Sequence, residues 1–88
     1  MKNIYKRNEH LIAANMGEEV VMMDVVSGRY YSLGVTGGAI WNILSVPSDL
    51  DTIVQKLLCE FTIDEETCEI QVQEFLNDAV EKNIFMRI

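Results

Sequence analysis

The hydrophobic period of this chain changes once. Up to about residue 35, apolar and β-branched residues stand in short runs with a period of two. Beyond that point they recur every three to four residues. One change of period in 88 residues, with no repeat, low-complexity stretch or linker, confines the chain to one α+β domain over residues 1–88, sheet first and helices after. The apolar share of 49% is enough for a core. A core of this size holds little stability in reserve, so a deep, enclosed active site would be hard to support.

Three strand-like runs precede the change: His10 to Asn15, Glu19 to Val25 and Arg29 to Leu33. Met16-Gly17-Glu18 turns the chain between the first two, and Ser27-Gly28 reads as a two-residue hairpin loop with glycine at a positive φ. The economical reading is a three-stranded antiparallel meander. Three helices follow. Thr36 is placed to cap the first, which ends before Pro47; Ser48 with Asp51 resembles a capping box opening the second; Asp64 caps the third, with Glu65 and Glu66 in its first turn. Leu50, Ile53, Val54, Leu57, Leu58 and Phe61 form one helical face, and Cys68, Val72, Phe75, Leu76, Ala79 and Val80 another. Asn83 closes the last helix, leaving Ile84-Phe85-Met86 as an extended tail packed on the body. The resulting architecture is winged-helix-like: a three-stranded antiparallel sheet followed by three helices.

Charge and motifs exclude several functions. The net charge is −7, and residues 49–82 hold ten acids against Lys56 and Lys82, a net −8 over the second and third helices. A nucleic-acid-binding domain needs a basic stripe, so this distribution disfavours DNA and favours a basic partner. No apolar run is long enough to span a membrane. The basic N-terminus, Met1 to Arg7, lacks the apolar segment of a secretory signal, so a cytoplasmic location is expected. Cys59 and Cys68 have no metal-ligand spacing and read as small buried thiols. His10, the single histidine, reads as a half-exposed strand residue. No phosphate-cradling loop, nucleophile elbow or metalloprotease signature occurs. The chain is therefore expected to be no enzyme and to need no cofactor or metal.

A binding surface is suggested instead. Hairpin pairing puts Val20, Met22, Asp24, Tyr31 and Leu33 on one face and Val21, Met23, Val25, Tyr30 and Ser32 on the other, so both faces are rich in apolar residues. The third strand is an edge with one charge and no proline, able to accept an extended peptide as an added strand. Leu76 and Val80 widen the third helix's stripe to one side, bordered by Glu69 and Gln73, and make a candidate opposite wall. Ile70 falls on the polar face.

Asp24, Gly28, Tyr30, Tyr31, Leu33, Gly38, Ile40, Trp41 and Leu44 resemble the core motif of the PqqD-like family: an aspartate, a turn glycine, two aromatics, leucine, a glycine, then an isoleucine–tryptophan pair opening a helix. The resemblance extends more loosely over residues 10–85. Gly34 departs from it, since asparagine often follows the leucine. The resemblance implies a winged-helix recognition element that binds the leader of a ribosomally made precursor peptide as a strand beside the third strand and against the third helix. On this reading Tyr30, Tyr31, Leu33, Glu69, Gln73, Leu76 and Val80 are the peptide-binding residues. The implied partners are the precursor leader and a separate processing enzyme, with a lasso-type leader protease preferred over the radical enzyme served by a PQQ-type chaperone. A structural dimerisation domain is the alternative from another class.

Overall fold

The computed structural model describes residues 3–17 and 19–88. In chain order the elements are β1 (Ile4–Arg7), β2 (Leu11–Met16), β3 (Glu19–Asp24), β4 (Tyr30–Leu33), α1 (Val35–Ile43), β5 (Ser48–Asp49), α2 (Leu50–Glu60), α3 (Glu65–Glu81) and β6 (Phe85–Arg87). The α+β class and the meander hold: β2, β3 and β4 form an antiparallel sheet in that order. What the period reading missed is a second sheet, ordered β5-β1-β6, so the six strands lie in two antiparallel sheets rather than one. Its register, Tyr5 opposite Arg87 and Arg7 opposite Phe85, joins segments from the two ends of the chain. Four- and three-residue strands carry too little alternation to announce themselves; they exist because each completes the other's backbone hydrogen bonds. Of the extended tail expected to pack on the body, Phe85 and Met86 are thus part of a paired strand. The basic N-terminal run and the first turn reach Met1, Lys2 and Glu18, which lie outside the described residues.

Local chemistry sets the joints, in places differently from the expectation. The loop between β3 and β4 has four residues, Val25 to Gly28, because Asp24 and Arg29 are the last pair, the Asp24 N–H donating to the Arg29 carbonyl at 2.8 Å. Asp24 Oδ1 accepts from the Val26 and Ser27 N–H groups, and Gly28 takes φ +73°. Two extra loop residues move the register by two, which preserves parity, so the face assignment survives. Helix α1 starts at Val35 with Gly34 as its cap and no side-chain cap bond, so Thr36 lies inside the helix. Asp49, not Ser48, caps α2, accepting from Thr52 N–H at 2.9 Å; Ser48 is buried in β5 and its hydroxyl donates to the Val46 carbonyl. Asp64 caps α3 as expected. Asn83, at φ 62°, closes α3 with its own N–H on the Val80 carbonyl and that of Ile84 on the Ala79 carbonyl, the paired bonds of a Schellman motif. His10 sits in the exposed turn before β2, not in a strand, and Cys59 is exposed on α2.

The core lies between the helices and both sheets. Tyr5, Met22, Ile40, Leu44, Ile53, Leu57, Leu76 and Phe85 are its largest buried side chains. Trp41 stacks on Phe85 at 6.0 Å, and Phe75 meets Phe85 edge-on at the same distance. Arg7 covers this aromatic group, its guanidinium 4.5 Å from the Trp41 ring centre and its Nε donating to the Trp41 carbonyl at 2.8 Å. Partial burial pulls the Arg7 pKa down from its ordinary value, from a height that leaves it cationic. Among the described residues no helix is long and apolar enough to cross a membrane.

Candidate functional site

Among the described residues, strand β4 pairs on one side only, with β3. Since Arg29 bonds to Asp24 and antiparallel ladder bonds alternate, Tyr31 and Leu33 turn their backbone groups toward β3. Tyr30 and Ser32 turn theirs toward the free edge. The side chains alternate as well: Leu33 is buried and Tyr31 half-buried on the core face, while Tyr30 is 74% exposed on the outer face. All three tyrosine and leucine positions expected at the edge therefore stand on it, but only Tyr31 and Leu33 face inward.

The C-terminal half of α3 lies across from this edge. A cleft of about 600 Å³ separates them, lined by Arg29 and Tyr31 on the strand side and by Asp78, Glu81 and Lys82 on the helix. Lys82 Nζ pairs with Asp78 Oδ2 at 3.0 Å, so the cleft carries charge of both signs. Where β4 ends, the wall turns apolar. Helix α1 comes so near that a Cβ on Gly37 would lie 3.1 Å from the Phe75 ring and 3.2 Å from Leu33 Cβ. Beyond this contact a second cavity of about 400 Å³ opens among Gly37, Ile40, Leu57, Phe61, Val72 and Phe75. A polar cleft beside a free strand edge suits an extended chain added as a strand.

The helix flank on this cleft is not the one expected. Cys68, Val72, Leu76 and Ala79 are buried, and Gln71, Phe75, Asp78 and Lys82, stepping four, three and four residues, form the flank toward β4 and α1. Glu69, Gln73 and Val80 lie on the opposite flank. There Gln73 donates to the Tyr5 hydroxyl at 3.4 Å and to Asn77 Oδ1 at 3.0 Å, and Glu69 shares a surface hollow with Leu50 and Ile70. Leu76 is 0% exposed and has no surface to offer a ligand. The sequence puts Phe75 at the centre of the helix stripe, whereas it is half-buried at the stripe's edge; Gly37, Asp78 and Lys82 carried no signal of their own.

Among the described residues no group of three or more histidines, cysteines or carboxylates is placed to hold a metal ion. The buried Cys68 thiol is pushed above its usual pKa by desolvation and then by the charge of Glu65, which keeps it protonated and unreactive.

Residues 19–84 match the family model described as coenzyme PQQ synthesis protein D (PqqD). No curated protein matches the chain by sequence. Among solved structures, the chain superposes on TbiB1, described in complex with the TbiA(beta) leader peptide, with a TM-score of 0.84 and 26% identity over 92% of this chain and 94% of that one. The family match covers β3, β4 with its free edge and all three helices that build the cleft, and on it this chain belongs to the PqqD family.

Proposed function

We propose that this protein binds the leader segment of a ribosomally made precursor peptide, as a strand added to β4, and presents it to a separate processing enzyme. The observation that carries the reading is the free edge of β4 facing α3 across an open cleft. TbiB1, with the same fold, was solved with a leader peptide bound, which supports a ligand of this class. The added strand takes its backbone bonds from Tyr30 and Ser32. Tyr31, Leu33, Phe75 and Lys82 meet its inward side chains, and Tyr30 flanks its outward ones. Glu69, Gln73 and Val80 stand outside this groove. Holding the precursor by its leader raises the local concentration of the modified segment at the enzyme; a lasso-type leader protease remains the preferred enzyme. The chain's own role is binding, and its acidic helices favour a basic leader by steering the encounter.

The test is a fluorescence-anisotropy titration with a labelled leader from a precursor encoded beside this chain. Ser32→Pro removes a donor that points away from β3, so the fold is retained while the added strand loses a bond and meets the proline ring. Saturable binding that weakens at least about tenfold, roughly 1.4 kcal/mol, is the expected result. Folded Ser32→Pro protein that binds as tightly as the parent would move the leader off this edge.

A further inference from the structure

The meander has a second free edge, and nothing in its sequence protects it. Strand β2 runs six residues, Leu11–Met16, without a charge or a proline. Its pairing with β3 is continuous from Leu11 opposite Asp24 to Met16 opposite Glu19, so no bulge bends it away. Residues 12–16 are all exposed, with Ile12 at 60% and Met16 at 65%; Ala13 and Asn15 stay exposed even on the core-facing parity, Asn15 at a surface hollow shared with Val35, Ala39 and Ile43 of α1. Proteins ordinarily blunt such edges with charge, proline, brevity or a covering element.

We propose that β2 pairs with β2 of a second copy, joining two meanders into one six-stranded antiparallel sheet. The choice of a second copy rests on register and charge. Val20, Met22 and Asp24 direct their backbone bonds to β4, so Glu19, Val21 and Met23 serve β2 through Met16, Ala14 and Ile12. That leaves the N–H and C=O groups of Ala13 and Asn15 and the C=O of Leu11 on the open edge, the Leu11 N–H already donating to the Asn8 carbonyl at 3.2 Å. A two-fold axis at Ala13 sets Ala13 against Ala13, and Leu11 against Asn15 in both directions. The two Ala13 residues then exchange both bonds and each Asn15 N–H meets a Leu11 C=O, so the strand is self-complementary as a two-fold interface requires. Two chains of net charge −7 repel, and Leu11–Met16 is an edge where they meet without opposing any acid. The small Ala13 side chains leave room at the axis. Strand β4 lies on the other side of β3, so both leader grooves of the dimer stay open.

The test combines mass with a register-specific cross-link. Sedimentation at rising concentration should carry the full chain toward twice the monomer mass, and Ala13→Lys, which sets two lysines face to face at the axis, should hold it at the monomer. In a Cys59→Ser background, Ala13→Cys should oxidise to a covalent dimer, because Cα atoms about 5.5 Å apart in a bonded pair suit a disulfide. Ala14→Cys, whose partner across the axis is Ile12, should cross-link far less. A parent protein that stays monomeric at every concentration would overturn the proposal and leave this edge to a different protein. So would a dimer unaffected by Ala13→Lys, or equal cross-linking at positions 13 and 14.

Discussion

At Leu76 the side chain is fully enclosed among the core residues, and this decides what a substitution there reports. Leu76→Ala removes buried methyl groups and leaves a cavity, so the expected cost is about 2–5 kcal/mol of stability, read by urea denaturation. Any loss of peptide binding in that variant follows from unfolding. Asp24 makes a different case. The Val26 N–H bond chiefly holds its carboxylate below the usual pKa; desolvation opposes it as the next-largest effect, and the Ser27 hydrogen bonds and the charge of His10 add smaller lowering contributions. A carboxylate with a depressed folded-state pKa stabilises the fold above its unfolded-state pKa, and that contribution fades as pH falls through the folded value. Asp24→Ala should therefore lower the urea midpoint at neutral pH, and the gap to the parent should narrow toward about pH 3.

Each helix of this chain is bounded by a short-range device, and the end of α3 is the one with least tolerance. Asn83 holds a left-handed conformation that lets two backbone bonds close the helix and turns the chain into β6. Asn83→Gly should be neutral or slightly stabilising, whereas Asn83→Ala should cost up to about 1 kcal/mol, since both Asn and Ala carry the crowding Cβ but only Asn has a short polar side chain that eases the left-handed conformation. Comparing the two denaturation curves separates backbone strain from loss of the asparagine amide. The turn also ties α3 to the end of β1, because Asn8 Nδ2 donates to the Asn83 backbone carbonyl at 2.7 Å, an acceptor that either substitution keeps.

Across the whole molecule, the sheet of β1, β5 and β6 clasps the two ends of the described chain over the helices, with Phe85 as its main anchor. Phe85 stacks on Trp41 and meets Phe75, whose ring also borders the groove, so clasp and groove share one aromatic cluster. Phe85→Ala should cost about 3–5 kcal/mol, a large part of the stability of a domain this small. Trp41 is the single tryptophan, and its fluorescence in a urea titration would follow the loss directly. Leader binding by the residual folded protein should also weaken, because Phe75 loses its edge-on support.

The meander followed by three helices, the caps at Asp64 and Asn83 and the apolar faces of the helices were legible in the residues, because each depends on neighbours within a few positions. The parity of the β3–β4 hairpin was legible even with the loop length misread, since side chains alternate with a period of two and the error was an even number. The free edge of β4 followed from topology. The second sheet was not legible: Ile4–Arg7 and Phe85–Arg87 become strands only when the fold brings them together. Nor was the groove side of α3. The stripe alone does not say which of its two flanks borders a groove, and the way α3 packs against α1, α2 and β6 decides which flank meets β4. Local chemistry along the chain determined the pieces and the strand edge left free; the packing of α3 determined which side chains face it.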